Sequence, residues 1–405
     1  MMRFCMVSTF YPPYHFGGDA VYVQRLSNAL ARRGHVVDVI HDKDAYALSR
    51  RDAPSRGEDE HANVHVRGLQ SSFGLLSPLA TQQTGRPWMK PSIRRQLESG
   101  QYDVIHFHNP SLIGSTTFRY GSAVKLYTLH EHWLICPMHV LWKFDREPCE
   151  QPSCVACCLR GGRPPQLWRY TDKLAKALRH IDRFLSPSRF TRDRHRAAGL
   201  DLPTSVLPHF TPAAPIASVG APPHPRPYFL FVGRLVKLKG VDTLLNAFRQ
   251  YRDADLLIAG DGEEASTLKG LAADLPHVRF LGRLAPSELP ALYHHAVALV
   301  MPSIGYEVFG LVLLEAFAQG TPVIVRDLGG MPEVVNESGG GLLFRTDQEL
   351  LEALQRLRAS PELRMALGRA GYEAYVDKWS ERPHLDAYLE IVESLRRKPP
   401  AAPGA

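Results

Sequence analysis

The chain has 405 residues, long enough for two or three ordinary domains, and its 44% hydrophobic and 22% charged residues are those of a water-soluble globular protein. A formal net charge of +7 favours solubility and attraction to polyanions such as phosphates and acidic lipid surfaces, but no basic run is interleaved with aromatics as in a nucleic-acid module. No run reaches the roughly 18 apolar residues of a membrane span, and Met1–Val7 reads as a first strand rather than a signal-peptide core.

In chain order, apolar runs alternate with amphipathic ones. Phe4–Ser8 predicts a strand, and Asp19–Arg33 a helix with Val23, Leu26 and Leu30 on one face and Gly34 as its stop. Strands follow at Val36–His41, Tyr102–His108, Lys125–His130 and Arg183–Ser186. Residues 209–227 have the proline-rich composition of a linker. The rhythm then restarts: strand Tyr228–Val232, helix Val241–Tyr251, strand Asp255–Ala259, then strands at Val278–Leu281, Ala298–Met301 and Val323–Val325. A last helix is expected over His384–Leu395, and the tail from Lys398 is expected to fray. Strands alternating with helices imply parallel sheets covered on both faces, here as two α/β units in tandem.

Four segments carry chemistry. Gly17-Gly18 sits at the first strand-to-helix turn, where small residues let amides approach a phosphate; the spacing is not GxGxxG, and a plain structural turn is the other reading. Gly233-Arg234, then Lys239-Gly240, follow the first strand of the second unit. There a forked guanidinium and an ammonium can clamp a leaving diphosphate, the alternative being two surface cations.

Glu307 lies in a tight loop after Pro302, with a helix expected from near Phe309 and Glu315 inside it among apolar neighbours. Ionised carboxylates are pure acceptors suited to paired sugar hydroxyls. The helix mouth at Phe309, Gly310 and Leu311 offers amides to a phosphate, and Gly329-Gly330-Met331-Pro332-Glu333 repeats that logic as a helix cap or ligand contact. His130, after a strand of the first unit, can hydrogen-bond a sugar hydroxyl or assist catalysis, although a lone histidine is more often structural.

These stretches together resemble glycosyltransferase family 4. Phe231–Leu235 with Lys239-Gly240, Ala259–Gly262, Phe280–Arg283, the E-x7-E of Glu307 to Glu315, Gly320–Ile324 and Gly329–Val334 stand in the family's order. The resemblance implies two Rossmann-like domains facing across a cleft, with a C-terminal helix crossing back to the first. The domains would be 1–208 on the acceptor side and 228–383 for the donor, joined by 209–227, with 384–405 as helix and tail.

It also implies a retaining transferase that uses a nucleoside-diphosphate sugar and needs no catalytic metal. In it, Arg234 and Lys239 hold the diphosphate, Glu307 the sugar hydroxyls, Glu315 the ribose, Gly18 admits a phosphate, and His130 meets the donor sugar. Where the family's histidine motif continues with Asp and an aromatic, Glu131 and His132-Trp133 stand here. The acceptor would be a growing polysaccharide, a lipid-linked oligosaccharide, another glycoconjugate or a small metabolite. A cytoplasmic enzyme working at the inner membrane surface would suit the basic stretch Arg160–Arg196. The rivals are an epimerase or phosphorylase of the same architecture, or a non-catalytic sugar-nucleotide binder.

Five of the six cysteines crowd between Cys136 and Cys158, and without a secretory signal they are not read as disulfides. Cys136, Cys149, Cys154 and Cys157, spaced C-x12-C-x4-C-x2-C, suit a structural zinc that would staple a segment with little core of its own. Free buried thiols and an iron–sulfur or redox role are the alternatives.

Overall fold

The computed structural model describes residues 1–49, 60–88, 91–212 and 221–397. The chain divides into two compact units: Met1–Pro208 with His384–Ala405, and His209–Pro383.

The first unit is built on β1 (Arg3–Ser8), β2 (Val36–Asp42), β3 (Val64–Leu69), β4 (Val104–His108), β5 (Val124–Thr128), a small hairpin of β6 (Trp142–Lys143) and β7 (Glu147–Pro148), then β8 (Arg183–Ser186) and β9 (Thr204–Val206). Seven of these strands form one sheet in the order β3-β2-β1-β4-β5-β8-β9, and every pairing in it is parallel. Helices cover both faces of such a sheet, so its central strands read as continuous apolar runs. Phe4 to Ser8 and all of β4 are buried.

The second unit repeats the plan with β10 (Tyr228–Val232), β11 (Asp255–Ala259), β12 (Val278–Gly282), β13 (Leu299–Met301), β14 (Val323–Arg326) and β15 (Gly341–Phe344), ordered β12-β11-β10-β13-β14-β15 and all parallel. This is the doubly wound Rossmann order. Its core runs from fully buried β10 to Phe317 and Trp379, whose rings stack at 6.2 Å. The expected fold class, parallel sheets in two α/β domains, is the one observed.

Several boundaries shift for local reasons. Tyr102 and Asp103 stay outside β4 because the Asp103 carboxylate is used as a cap, accepting the Arg3 amide at 2.8 Å. The helix expected near Phe309 begins at Leu311, since Gly310 has φ 108°, which an α-helix cannot contain. Strands β3, β9 and β15 carry no strong sequence signal. β3 exposes its middle residues, β9 is three residues long and follows a proline, and β15 starts within a glycine triplet.

Residues 213–220 of the expected linker and the tail from Lys398 lie outside the described residues. The flanks of that linker are structured parts of the second unit. Thr211 donates its amide to Trp379 O at 3.2 Å, and buried His224 meets Asp255 at 2.7 Å.

The final helix, Glu381–Arg396, enters the first unit at His384. There Tyr388 lies fully buried with its ring stacked on His106, Arg33 pairs with Asp386 at 2.8 Å, and Arg396 pairs with Asp103 at 2.9 Å.

Candidate active site

In doubly wound sheets ligands bind beyond the carboxyl ends of the strands, where the strand order reverses. In the second unit that point lies between β10 and β13. The loop after β10 carries Gly233 to Gly240, and the loop after β13 carries Pro302 to Gly310.

The backbone zips these two loops together. Leu238 O accepts from the Ile304 amide at 2.9 Å and from the Gly305 amide at 3.2 Å. Gly240 lies so close to Pro302 O that no Cβ could fit there. The result puts Lys239 Nζ 2.6 Å from Glu307 Oε1, and Ser303 Oγ donates to the same oxygen at 3.0 Å. Both partners of the ion pair keep about a fifth of their side-chain surface exposed, 23% for Lys239 and 22% for Glu307, so the pair is reachable from solvent.

Gly329 and Gly330 hold the Glu307 backbone. The Gly330 amide donates to Glu307 O at 2.7 Å, and Gly329 has φ 78° with the amide and carbonyl of Glu307 each 2.9 Å from where a Cβ would stand. The glycine pair therefore supports the carboxylate, a use that sequence reasoning divided between cap and ligand contact. Gly329→Ala is expected to cost about 1–3 kcal/mol of stability through the left-handed φ and the crowding. It should also lower turnover more than a matched surface substitution does. Thermal melts beside kcat measurements check both.

Glu315 lies about one turn into helix Leu311–Ala318, half-buried, and accepts from Tyr293 OH at 3.1 Å. Leu313, Leu314, Ala316 and Phe317 around it are buried, so Glu315 is the polar position of an otherwise core-facing helix. Leu311 opens that helix, whereas Phe309 is buried and sets its ring edge-on to His209. Arg234 is exposed on the rim of the loop after β10. Ser303 and Tyr293 were not singled out from the sequence, because isolated hydroxyls leave no pattern. Lys239 and Glu307 are the predicted residues that the structure brings into direct contact.

The switch point of the first unit lies between β1 and β4. Gly17 caps helix Gly18–Arg32 with no side-chain bond of its own, and Gly18 is exposed. Asp19 stands in the first turn with its carboxylate held by Asn109 Nδ2 at 3.0 Å.

His130, two residues beyond β5, is buried and shares a proton with His108, Nδ1 of His108 to Nε2 of His130 being 2.9 Å. Burial holds the His130 pKa down to about 4, against a weaker opposing pull from Asp19. At neutral pH His130 is therefore an uncharged hydrogen-bonding group rather than a cation.

Around it runs a buried network that sequence reasoning missed. His106 meets Thr128 Oγ1 at 2.8 Å and Tyr388 OH at 3.0 Å. His384 donates from Nδ1 to Pro208 O at 2.8 Å, which leaves Nε2 to accept from Tyr22 OH at 3.0 Å. The sequence-level trace was His106-Phe107-His108 at a strand end, the same placement that drew attention to His130. Glu131 is bound within the neighbouring loop to His139 at 2.7 Å.

The expected zinc site is not shown among the described residues. Among the described residues no group of three or more His, Cys, Asp or Glu could hold a metal ion, and all six cysteines are free thiols. Burial first, and then the neighbouring cysteines, push the thiols of Cys136, Cys149 and Cys154 up. Cys157 Sγ accepts from the Phe144 amide at 3.5 Å.

Arg169 ties together the stretches on either side of this segment. It donates to Trp133 O at 2.7 Å, Leu134 O at 3.3 Å and Gln166 Oε1 at 2.7 Å, and its guanidinium lies over the Trp133 and Trp168 rings. Two Asp-x-Asp tripeptides are also structural. Asp42 accepts the Ala45 amide at 3.1 Å and Asp44 the Ser71 amide at 2.8 Å, while Asp255 of the second tripeptide pairs with His224 and Arg226.

Two family models match this chain between them over residues 16–374: "Glycosyltransferase Family 4" over 16–214 and "Glycosyl transferases group 1" over 216–374. The chain is a family 4 glycosyltransferase. D-inositol 3-phosphate glycosyltransferase of Corynebacterium jeikeium is 27% identical to it, covering 99% of this chain and 98% of that protein. GDP-mannose-dependent alpha-(1-6)-phosphatidylinositol monomannoside mannosyltransferase of Mycobacterium tuberculosis is 38% identical over 171 residues, which span 38% of this chain and 44% of that protein's length. Among solved structures, sucrose-phosphate synthase from Thermosynechococcus elongatus matches with a TM-score of 0.73 at 23% identity, covering 98% of this chain and 100% of that one. That likeness makes the fold of the glycosyltransferase the GT-B fold.

Proposed function

We propose that this glycosyltransferase moves a sugar from a nucleoside-diphosphate donor to a hydroxyl acceptor with retention of anomeric configuration. The observation that carries the reading is the ammonium of Lys239 held against the carboxylate of Glu307 at the strand-end rim of the second sheet, 2.6 Å apart and open to solvent. A cation there meets charge that develops on a leaving diphosphate, and exposed Arg234 stands on the same loop. A carboxylate there accepts from sugar hydroxyls, the amide end of helix Leu311–Ala318 faces a phosphate, and Glu315 accepts from the ribose.

In the transfer the bond from the anomeric carbon to the diphosphate oxygen breaks, and the acceptor oxygen bonds to the same face of that carbon. The acceptor's proton passes to the departing diphosphate oxygen. Such a step goes through an oxocarbenium-like sugar and asks for no second catalytic carboxylate. Neutral His130 suits a hydrogen bond to the donor sugar in the first unit.

The acceptor we favour is lipid-linked, presented at an anionic membrane surface. One relative supports this, a transferase that mannosylates a phosphatidylinositol mannoside from GDP-mannose, while the D-inositol 3-phosphate glycosyltransferase supports a soluble anionic acceptor instead. No helix among the described residues is long and apolar enough to cross a membrane.

A donor screen reading nucleoside diphosphate release tests the reading, followed by proton couplings at the new anomeric centre. Release with one donor class, insensitive to chelator, and a product anomer matching the donor are expected. Donor isomerised without release would make the protein an epimerase, and inversion at the new linkage would overturn retention.

A further inference from the structure

The first unit exposes large apolar side chains on two adjoining segments. Phe73 is 55% exposed, Leu76 61% and Trp88 48%; Leu167 is 67% exposed and Tyr170 65%. Such side chains are ordinary when scattered and informative when gathered.

They are gathered here because helix Leu76–Thr84 packs beside the turn Leu167–Tyr170. Trp168 donates to Gln82 O at 2.9 Å and Gln83 donates to Pro164 O at 3.4 Å. The segments 68–88 and 151–180 contain one acid between them, Asp172, which is paired with Lys176. Against it stand Arg86, Arg160, Arg163, Lys173 and Arg179, all exposed. Residues 68–85 carry no charge at all.

A cavity of about 360 Å³ opens beside the same turn. Val155 and Tyr170, both exposed, belong to its wall, with Leu134, Ile135 and Leu174 deeper.

We propose that this face docks on an anionic bilayer, Phe73, Leu76, Trp88, Leu167 and Tyr170 entering the headgroup–acyl boundary while the arginines and lysines meet lipid phosphates. Apolar side chains ringed by cations have a charge complement in acidic lipid, whose interior also accepts the apolar residues. The cavity takes one hydrocarbon chain from that bilayer, its lining being mostly apolar. This deepens the reading of a membrane-presented acceptor and rests on it for its purpose. The surface itself is chosen by exposure and charge alone.

Sedimentation of the full chain with vesicles, with neither donor nor acceptor present, keeps this test separate from the transfer reaction. Binding to phosphatidylcholine vesicles with 30 mol% phosphatidylglycerol is expected, with binding to pure phosphatidylcholine weaker by about tenfold or more and a marked loss at high salt. Of the five tryptophans, Trp88 is the exposed one and the other four are buried. A blue shift on vesicle addition that disappears in Trp88→Phe therefore reports insertion without perturbing the core.

The double variant Leu76→Glu, Leu167→Glu is expected to lose about tenfold in vesicle affinity while its melting temperature and donor turnover on a soluble acceptor stay unchanged. Failure to sediment with any vesicle, or unchanged binding in the variant and no Trp88 shift, would overturn the proposal. So would a doubled solution mass relieved by the same variant, which would make the face a contact between two copies.

Discussion

Replacing Glu307 with alanine is expected to lower kcat by about 100- to 1000-fold, the loss of roughly 3–4 kcal/mol of transition-state stabilisation that charged contacts in such sites carry. The fold should survive, because the Lys239–Glu307 pair is partly solvated and such pairs are worth about 1 kcal/mol or less to stability.

Lys239→Ala should also reduce kcat, and should raise the donor KM, since an ammonium aimed at a diphosphate contributes before and during bond cleavage. The double variant is expected to fall well short of the summed losses, because each residue holds the other through a single 2.6 Å contact. Ser303→Ala removes a second donor to the same oxygen and should show a milder loss with unchanged melting temperature. Unchanged turnover in Glu307→Ala would remove this carboxylate from the site and take the donor assignment with it.

The first unit is expected to come apart in mild acid while the second stays folded. Burial holds His41, His130 and His384 down to about 4 and puts His106 well below its ordinary value. All four belong to the first unit. Each is neutral in the folded protein, whereas an unfolded histidine binds its proton near pH 6.5.

Between pH 6.5 and about 4 the unfolded chain therefore holds more protons, and stability falls as pH falls through that window. Above pH 6.5 the contribution is complete, and below about 4 it has been lost. All four act in the same direction, so their proton uptake draws on the stability of the first unit alone.

Hydrogen exchange followed peptide by peptide at pH 7 and pH 5 separates the units. Protection should fall first in β1, β4, β5 and the terminal helix. His384→Gln, which keeps a polar side chain without a titration, should flatten the dependence. Equal loss in both units, or loss in the second unit first, would contradict the assignment.

The tandem α/β plan was legible because its signals are local. β10, β11 and β8 appear at the predicted residues, since a strand covered on both faces must be an unbroken apolar run. The weak strands were not legible: β3 is a half-exposed edge, and β15 emerges from glycines that read as a turn. The Glu307 and Glu315 motif could be read because one loop and one helix turn carry both carboxylates. The cysteine spacing did bring Cys136, Cys149, Cys154 and Cys157 within electrostatic reach of one another. Arg169, which holds the Trp133 and Leu134 carbonyls and lies over two indole rings, has no spacing pattern to announce it.

Composition and periodicity by themselves determined that this protein has two tandem α/β units with parallel sheets and a carboxylate-bearing loop in the second, because those properties repeat within a strand or a turn. Only the tertiary structure decided that Lys239 closes on Glu307, that Gly329 and Gly330 brace it, and that His130 sits in a neutral histidine–tyrosine network. That network joins Tyr22 to His384 across 362 positions and His106 to Tyr388 across 282. Contacts of that span follow from how the sheet stacks its strands and where the last helix lands, and no local pattern encodes them.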